Sequence, residues 1–376
     1  MIFHLIPKIV GHANRIRFLI LLLSHTVVLF GQRTIALDPV SDLFGGNETI
    51  TPALIQQSEA HIYVDGRDKI TMFNRDGDKL ATHQLDSGWI ANFTVIERSP
   101  LVDSGKDLLV VSTVMEVEEF GSVAYLDYRM LFFSCDETSI HYKGVGYDPN
   151  IPNPRQAYFR NLYVLPDGRL IANIWNRNYK SALFLQEVLF NKTDGADYAD
   201  DNSTAQKGFE IGYLGTRPLF RRFVPPGSPL ASDKSVVVSG TENGRIFISY
   251  ALQNVVHILD PDSQGDYALN RIKLSLADFK MPKGSIDQPG VHLPKGHSLI
   301  RGLYATSNGS YMVAYEPDSE DRSAYFQKTQ SNWQVPLNTG LQRKTASKIF
   351  VGFYDGQKYF HRLENGHHYL DMEPID

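Results

Sequence analysis

Apolar and polar residues alternate along most of this chain in short runs broken by turn residues. In Leu170 to Trp175, Leu170, Ala172 and Ile174 point one way and Ile171, Asn173 and Trp175 the other. That period of two is the mark of a strand. No segment sustains an apolar period of 3.6 residues, so almost no helix is expected. The stretch Arg160 to Ile174 recurs, without a gap, as Arg301 to Tyr315. Each copy reads as strand, turn, strand, with Asp167-Gly168 or Asn308-Gly309 at the turn. Such pairs supply the positive φ angles of a two-residue hairpin turn.

Strands are expected at His61–Val64, Ile70–Phe73 and Leu80–Leu85, then at Trp89–Ile96, Asp107–Thr113, Val123–Phe133 and Ile140–Tyr142. Further runs fall at Ala182–Phe190, Phe209–Leu214, Ser235–Ser239, Arg245–Tyr250 and Val255–Leu259. The chain ends in a hairpin, Ile349–Tyr354 and Lys358–Leu363, across Asp355-Gly356-Gln357. Polar or proline-rich loops are expected at Gly146–Pro154, Asn191–Gln206 and Pro282–Lys295. Units begin near 90, 160, 231 and 301, about 70 residues apart. A meander of about four strands repeated at a fixed period is the plan of a β-propeller. Strands from the two chain ends are expected to lie together and close the ring, which removes two open edges. Four units plus the ends count to five blades. A sixth requires strands within 145–157, 280–297 or 50–58. A pair of β-sandwiches is the rival architecture and leaves the even spacing unexplained.

Two segments carry a resemblance. Ile62-Tyr63-Val64 with Ile70 to Gly77, and Tyr163 to Leu170, resemble the blade pattern of the six-bladed propellers of the TolB-like and NHL-like superfamily. The resemblance spans about residues 59–365 and implies an all-β propeller of four-stranded antiparallel blades, six in number. It specifies a fold rather than an activity.

The start of the chain differs from the rest. Lys8, Arg15 and Arg17 precede a mostly apolar run, Phe18 to Phe30, interrupted by Ser24, His25 and Thr26. That run is short of the ~20 residues of a membrane span and suits a signal peptide. Thr34-Ile35-Ala36 gives small residues at the cleavage positions, and Gly31-Gln32 is a second candidate. Residues 1–36 are read as a leader, 37–58 as a lead-in and 59–376 as one propeller domain, exported to the periplasm or secreted. An uncleaved membrane anchor is the alternative; after cleavage no membrane span remains.

Composition adds limits. The net charge of −5 in 376 residues does not suit a nucleic-acid partner. The single cysteine, Cys135, forms no intramolecular disulfide and follows an apolar run, so it is expected in the core. Sequons start at Asn47, Asn92, Asn191, Asn202 and Asn308.

No nucleophile elbow or phosphate-binding glycine loop appears. His292 and His297, and His367 and His368, lack a metal spacing and are expected at the surface or rim. Asp260 to Asp266 resembles part of a calcium loop but lacks its late glutamate, and reads as a turn. No catalytic residue, metal ligand or cofactor is assigned. The candidate binding residues are Arg160, Arg301, Trp89 and His297, at the mouth where innermost strands begin. Two guanidiniums on one rim can hold a carboxylate or phosphate; alternatively they tie neighbouring blades. The leading expectation is a non-enzymatic binding propeller for a protein or small anionic ligand. The alternative is a lactonase-like metal-dependent hydrolase or lyase with an axial metal, calcium being the candidate.

Overall fold

The computed structural model describes residues 33–37, 55–103, 105–119, 122–146, 157–176, 184–192, 211–218, 236–241, 243–250, 252–262, 267–276, 278–280, 298–305, 311–316, 325–329 and 348–375. All of the regular structure among them is β. Strand β1 (Arg33–Ala36) comes first. Sheet I follows with β2 (Ile55–Gln57), β3 (His61–Asp65), β4 (Lys69–Asn74) and β5 (Lys79–Gln84), in that spatial order. Sheet II holds β6 (Trp89–Ile96), β7 (Asp107–Glu119), β8 (Ser122–Cys135) and β9 (Ile140–Gly146). Sheet III holds β10 (Ala157–Val164), β11 (Leu170–Asn176), β12 (Phe184–Lys192) and β13 (Ile211–Pro218). Sheet IV holds β14 (Val236–Gly240), β15 (Ile246–Tyr250), β16 (Val255–Pro261) and β17 (Tyr267–Lys273). Sheet V shows three strands among the described residues, β18 (Leu299–Ala305), β19 (Tyr311–Glu316) and β20 (Tyr325–Thr329). In sheet VI, β21 (Lys348–Tyr354), β22 (Gln357–Glu364) and β23 (His367–Pro374) are joined on the outside by β1. All the pairings are antiparallel.

Sheets I to IV and VI stand as four-stranded blades in a propeller arrangement. The first strand of each sheet lies beside those of its neighbours, in the cycle β2, β6, β10, β14, β18, β21 and back to β2. The core is accordingly split into wedges between successive sheets. Phe93, Val95 and Phe133 of sheet II meet Tyr63, Ile70 and Met72 of sheet I. Leu108, Val110 and Phe132 of the same sheet II meet Leu162, Leu170 and Ala172 of sheet III. Ile171 turns the other way, to Ile246, Ile248 and Leu259 of sheet IV. Sheets IV and V join through Phe247, Ile258, Leu303 and Tyr315, and V and VI through Met312, Ala314, Phe350 and Phe360. The last wedge sets Ile35, Leu370 and Met372 of sheet VI against Ile62, Val64 and Phe73 of sheet I. Each sheet therefore buries both faces, and the period-two pattern sorts residues between two neighbours rather than between core and water.

Three expectations change. Arg33–Ala36, read as the end of the leader, forms β1, because Ile35 and Leu37 are the apolar lining of the closing wedge. Ile55–Gln57, read as lead-in, forms the first strand of sheet I. The turn at Pro166-Asp167-Gly168 has three residues, not two: Leu165 pairs with Arg169, and the Gly168 N–H donates to the Leu165 carbonyl at 2.8 Å. Proline favours the first position of this turn, and Gly168 takes the positive φ of 82° that ends it. The matching turn at Asn308-Gly309 lies outside the described residues, as do residues 1–32, 147–154, 193–206 and 282–295 of the expected leader and loops.

Polar side chains tie the wedges together. Between sheets I and II, the Tyr63 hydroxyl donates to Asp107 Oδ2 at 2.9 Å, with His61 Nδ1 3.3 Å from that hydroxyl. Burial pushes the Asp107 carboxyl up, but hydrogen bonds from His61, Ser58 and Tyr63 outweigh it and hold it below its ordinary value. Arg169 of sheet III reaches the Gly244 carbonyl and Tyr267 hydroxyl of sheet IV. At the seam between sheets VI and I, Arg75 Nη1 donates to Gln57 Oε1 at 2.8 Å and Nη2 to the Tyr359 hydroxyl at 3.3 Å. Its guanidinium also lies 5.7 Å from the centre of the Tyr354 ring, whose hydroxyl donates to Glu97 of sheet II.

Sheet VI also contains a histidine pair. His361 Nε2 and His368 Nδ1 are 3.0 Å apart. The rings are nearly parallel with centroids 5.2 Å apart, so they meet edge to edge and share one hydrogen. A second proton on the bridge would set N–H against N–H. Burial, then the neighbouring His368, push His361 down to about 4, and burial lowers His368 as well. His368 is thus half-buried and partnered rather than a rim residue, whereas His367 is exposed.

Two outcomes follow from these ties. Arg75→Ala is expected to destabilise the protein by about 1–3 kcal/mol in urea unfolding, the range for hydrogen bonds from a charged group. An unchanged midpoint would remove Arg75 from the closure. The second concerns acid. His361 titrates near 6.5 unfolded and about 4 folded, so its contribution is intact above 6.5 and is lost as pH falls towards 4. His257, also pushed down to about 4 by burial, adds a loss of the same sign. Unfolding free energy should fall by up to about 1.4 kcal/mol per pH unit for each such histidine, and His361→Asn should flatten the profile between pH 4 and 6.5.

Candidate functional site

The expected mouth is the end of the ring at which the first strands begin. Trp89 opens β6 and is half-buried there. Arg160 is the fourth residue of β10 and Arg301 the third of β18. Both arginines occupy one structural feature. The ladder of β10 shifts between Phe159 and Asn161, and that of β18 between Ile300 and Gly302. Each arginine is the extra residue of a β-bulge, as are Ala91 in β6 and Val351 in β21. A bulge releases one residue from the ladder and re-aims its side chain. The bulges lie level in neighbouring sheets: Asn92 Oδ1 accepts from the Leu162 N–H at 3.3 Å, and Gly302 lies against the rings of Phe350 and Phe353.

The partner of Arg301 is described. The Arg301 guanidinium donates to Glu316 Oε2 at 3.0 Å; the arginine side chain is 36% exposed and the glutamate 8%. In the matching ladder position of sheet III, Trp175 stands where Glu316 stands in sheet V: Tyr158 pairs with Trp175 as Leu299 pairs with Glu316. The side chain of Arg160 and the whole of His297 lie outside the described residues.

A charged group that the sequence pattern did not single out lies in the neighbouring sheet VI. Lys348 opens β21 two residues before Phe350, which touches Gly302. Its Nζ is 2.5 Å from Asp371 Oδ2, while Arg362 Nε donates to the same oxygen at 3.2 Å and the Thr34 hydroxyl to Oδ1 at 2.7 Å. Burial raises the Asp371 carboxyl, but Lys348, Thr34 and Arg362 outweigh it and keep it ionised. These cations serve a buried carboxylate in the closing sheet.

The sequence pattern also understated β7 and β8. Their ladder continues past Trp89↔Val114 through five pairs, from Met115↔Asp127 to Glu119↔Ser122. At about 3.3 Å per residue, this two-stranded arm extends roughly 15 Å beyond the sheet, at the end where β6 begins. Its continuity was hidden by Glu116, Glu118 and Glu119, which break the apolar alternation.

Other candidates resolve as structure. Cys135 is buried, and burial pushes its thiol up, away from the reactive thiolate. Asp260 is held by Arg245 and by Asn270 Nδ2 at 3.0 Å. Asn92 is buried in β6, which closes that sequon in the folded chain. Among the described residues no group of three His, Cys, Asp or Glu is placed to hold a metal, and no helix is long and apolar enough to cross a membrane. A cleft between β2 and β21, lined by Gln56, Gln57, Phe353 and Tyr354, measures about 50 Å³. That suits water rather than a substrate, whose pockets run to several hundred cubic ångströms.

No family model and no curated protein matches the chain. Among solved structures it is similar to the periplasmic gluconolactonase of Pseudomonas aeruginosa, at 11% identity and a TM-score of 0.43, covering 89% of this chain and 92% of that one. It is also similar to regucalcin, a calcium-binding protein of Agrobacterium tumefaciens, at 10% identity and a TM-score of 0.44, covering 92% and 95%. A third is a protein of unknown function from Bacteroides caccae, at 12% identity and a TM-score of 0.40, covering 78% and 81%. No residue role is carried over from them.

Arg301→Ala leaves the buried Glu316 without this donor and is expected to cost about 1–3 kcal/mol of stability. Adding Glu316→Gln should restore part of it. A double variant whose loss equals the sum of the two single losses would show that the pair is not coupled.

Proposed function

We propose that this chain is an exported binding propeller of six blades, of the TolB-like and NHL-like kind, with sheet V as one blade. Its mouth takes the anionic group of a protein segment or small ligand. The leader features of residues 1–30 support export. The observation that carries the binding reading is the bulge shared by Arg160 and Arg301 in two first strands at one end of the ring. Arg301 is matched by Glu316 and frames the mouth, while position 160, with Trp175 at the matching place, supplies the cation for the ligand. The β7–β8 arm stands at the same end and flanks the approach.

The test is a thermal-shift and calorimetric screen of the mature protein against small dicarboxylates, sugar phosphates and acidic peptides. Arg160→Ala is expected to weaken a hit by about 1.5–3 kcal/mol, the range for a charged hydrogen bond, with little change in melting temperature. A hit indifferent to Arg160 places binding elsewhere. Stoichiometric calcium or zinc in the purified protein would replace this reading with the metal-dependent hydrolase.

A further inference from the structure

We infer that His361 and His368 form a two-histidine site for a divalent transition ion, copper(II) ahead of zinc(II), beside the closing wedge of the ring. The pair belongs to β22 and β23, which lie outside the innermost strand β21 of sheet VI. It is therefore separate from the mouth and does not depend on the proposed ligand.

The fold makes this pair; the spacing of the two residues along the chain does not announce it. Asn365 and Gly366, at φ of 52° and 79°, form the two-residue turn that brings β23 back along β22. The ladder then sets His361 opposite Leu370 and Leu363 opposite His368. Cross-strand partners and residues two apart project from the same face. Both histidines thus share the face that carries Leu370 and Tyr359 into the closing wedge. They are diagonal neighbours on it, and their facing nitrogens, Nε2 of His361 and Nδ1 of His368, end 3.0 Å apart.

That separation suits a shared ion. Two nitrogens each about 2.1 Å from one metal, and at right angles across it, lie roughly 3.0 Å apart. Ligation thus needs the rings to tilt towards a common point, with both strands left in register. Two rings that share one hydrogen are both neutral, which is the form that ligates. On binding, the donor ring's hydrogen moves from the bridging nitrogen to the other nitrogen of the same ring, by way of water. Each ring keeps one hydrogen, and both bridging nitrogens then offer a lone pair. Imidazole suits copper and zinc, and affinity along the divalent series peaks at copper(II); calcium takes oxygen ligands instead. Among the described residues no third His, Cys, Asp or Glu completes the set, so water fills the remaining positions and the ion is exchangeable. His361 is 2% exposed and His368 half-buried, with exposed residues from Leu363 to His367 around the turn, so the ion enters from the His368 side. Once bound, it staples β22 to β23 in the sheet that closes the ring.

The purified protein should be stripped of metal with a chelator, then titrated with copper(II), and its electron paramagnetic resonance spectrum recorded at one equivalent. The expected result is one bound ion with coupling to two imidazole nitrogens. The melting temperature should rise by about 3 °C or more once the ion is in roughly hundredfold excess over its dissociation constant. Zinc(II) should act in the same sense with lower affinity. His361→Asn and His368→Gln are each expected to weaken copper binding at least tenfold, while His367→Asn, on the opposite face, leaves it unchanged. A spectrum with fewer than two nitrogens, or an affinity indifferent to both substitutions, overturns the site. So does a calcium response that either substitution abolishes. The spectrum is taken on the unaltered protein, so it decides the matter even where a substitution prevents folding. Metal that survives stripping and that both variants retain in full counts against this pair and in favour of an axial hydrolase metal, which separates this inference from the reading of the mouth.

Discussion

Everything in this molecule depends on closing the ring. A sheet that buries both faces needs two neighbours, and a row of such sheets always leaves two apolar faces bare unless its ends meet. Here they meet at the wedge of Ile35, Leu370 and Met372 against Ile62, Val64 and Phe73. Because that apolar contact is non-directional, the register comes from polar groups: Thr34 on Asp371, and Arg75 on Gln57 and Tyr359. The closing sheet is built from both chain ends, so the contact is also the longest in sequence and among the last that a folding chain can make.

The repeat at 160 and 301 was legible because each copy carries an apolar residue at every second position and an Asp-Gly or Asn-Gly pair between its two strands. The strands that closed the count were not. β2 is three residues, Ile55-Gln56-Gln57, with one apolar side chain; its place is fixed by pairing with Ile62 to Val64. β1 offers Ile35 alone, next to an apolar run that dominates any pattern. Both are strands by virtue of what they complete, which no local preference records.

The bulges were invisible for a different reason. Arg160 and Arg301 are alike, but Ala91 and Val351 match neither them nor each other, so residue type alone does not announce the bulges. Counting back from Ala305↔Tyr311 at constant register sets Arg301 opposite Tyr315; the bulge puts Ile300 there and brings Glu316 to Leu299. One unpaired residue thus decides which side chain the guanidinium meets. The alignment of the two arginines was legible; the partner of Arg301 was not.

That pairing governs how charge at the mouth should be weighed. Lys348, Arg362 and Arg301 are cations near the starts of β21 and β18, and a tally would make this quarter of the rim an anion site. Each is instead committed to a carboxylate, Asp371 or Glu316, that is itself buried. Buried carboxylates hold such partners firmly, since separating the pair leaves an uncompensated charge out of water. A ligand anion would have to displace a carboxylate that the fold has already placed. The proposed binding reading therefore rests on Arg160, the bulge residue of a copy of the repeat that has Trp175 in place of the acid.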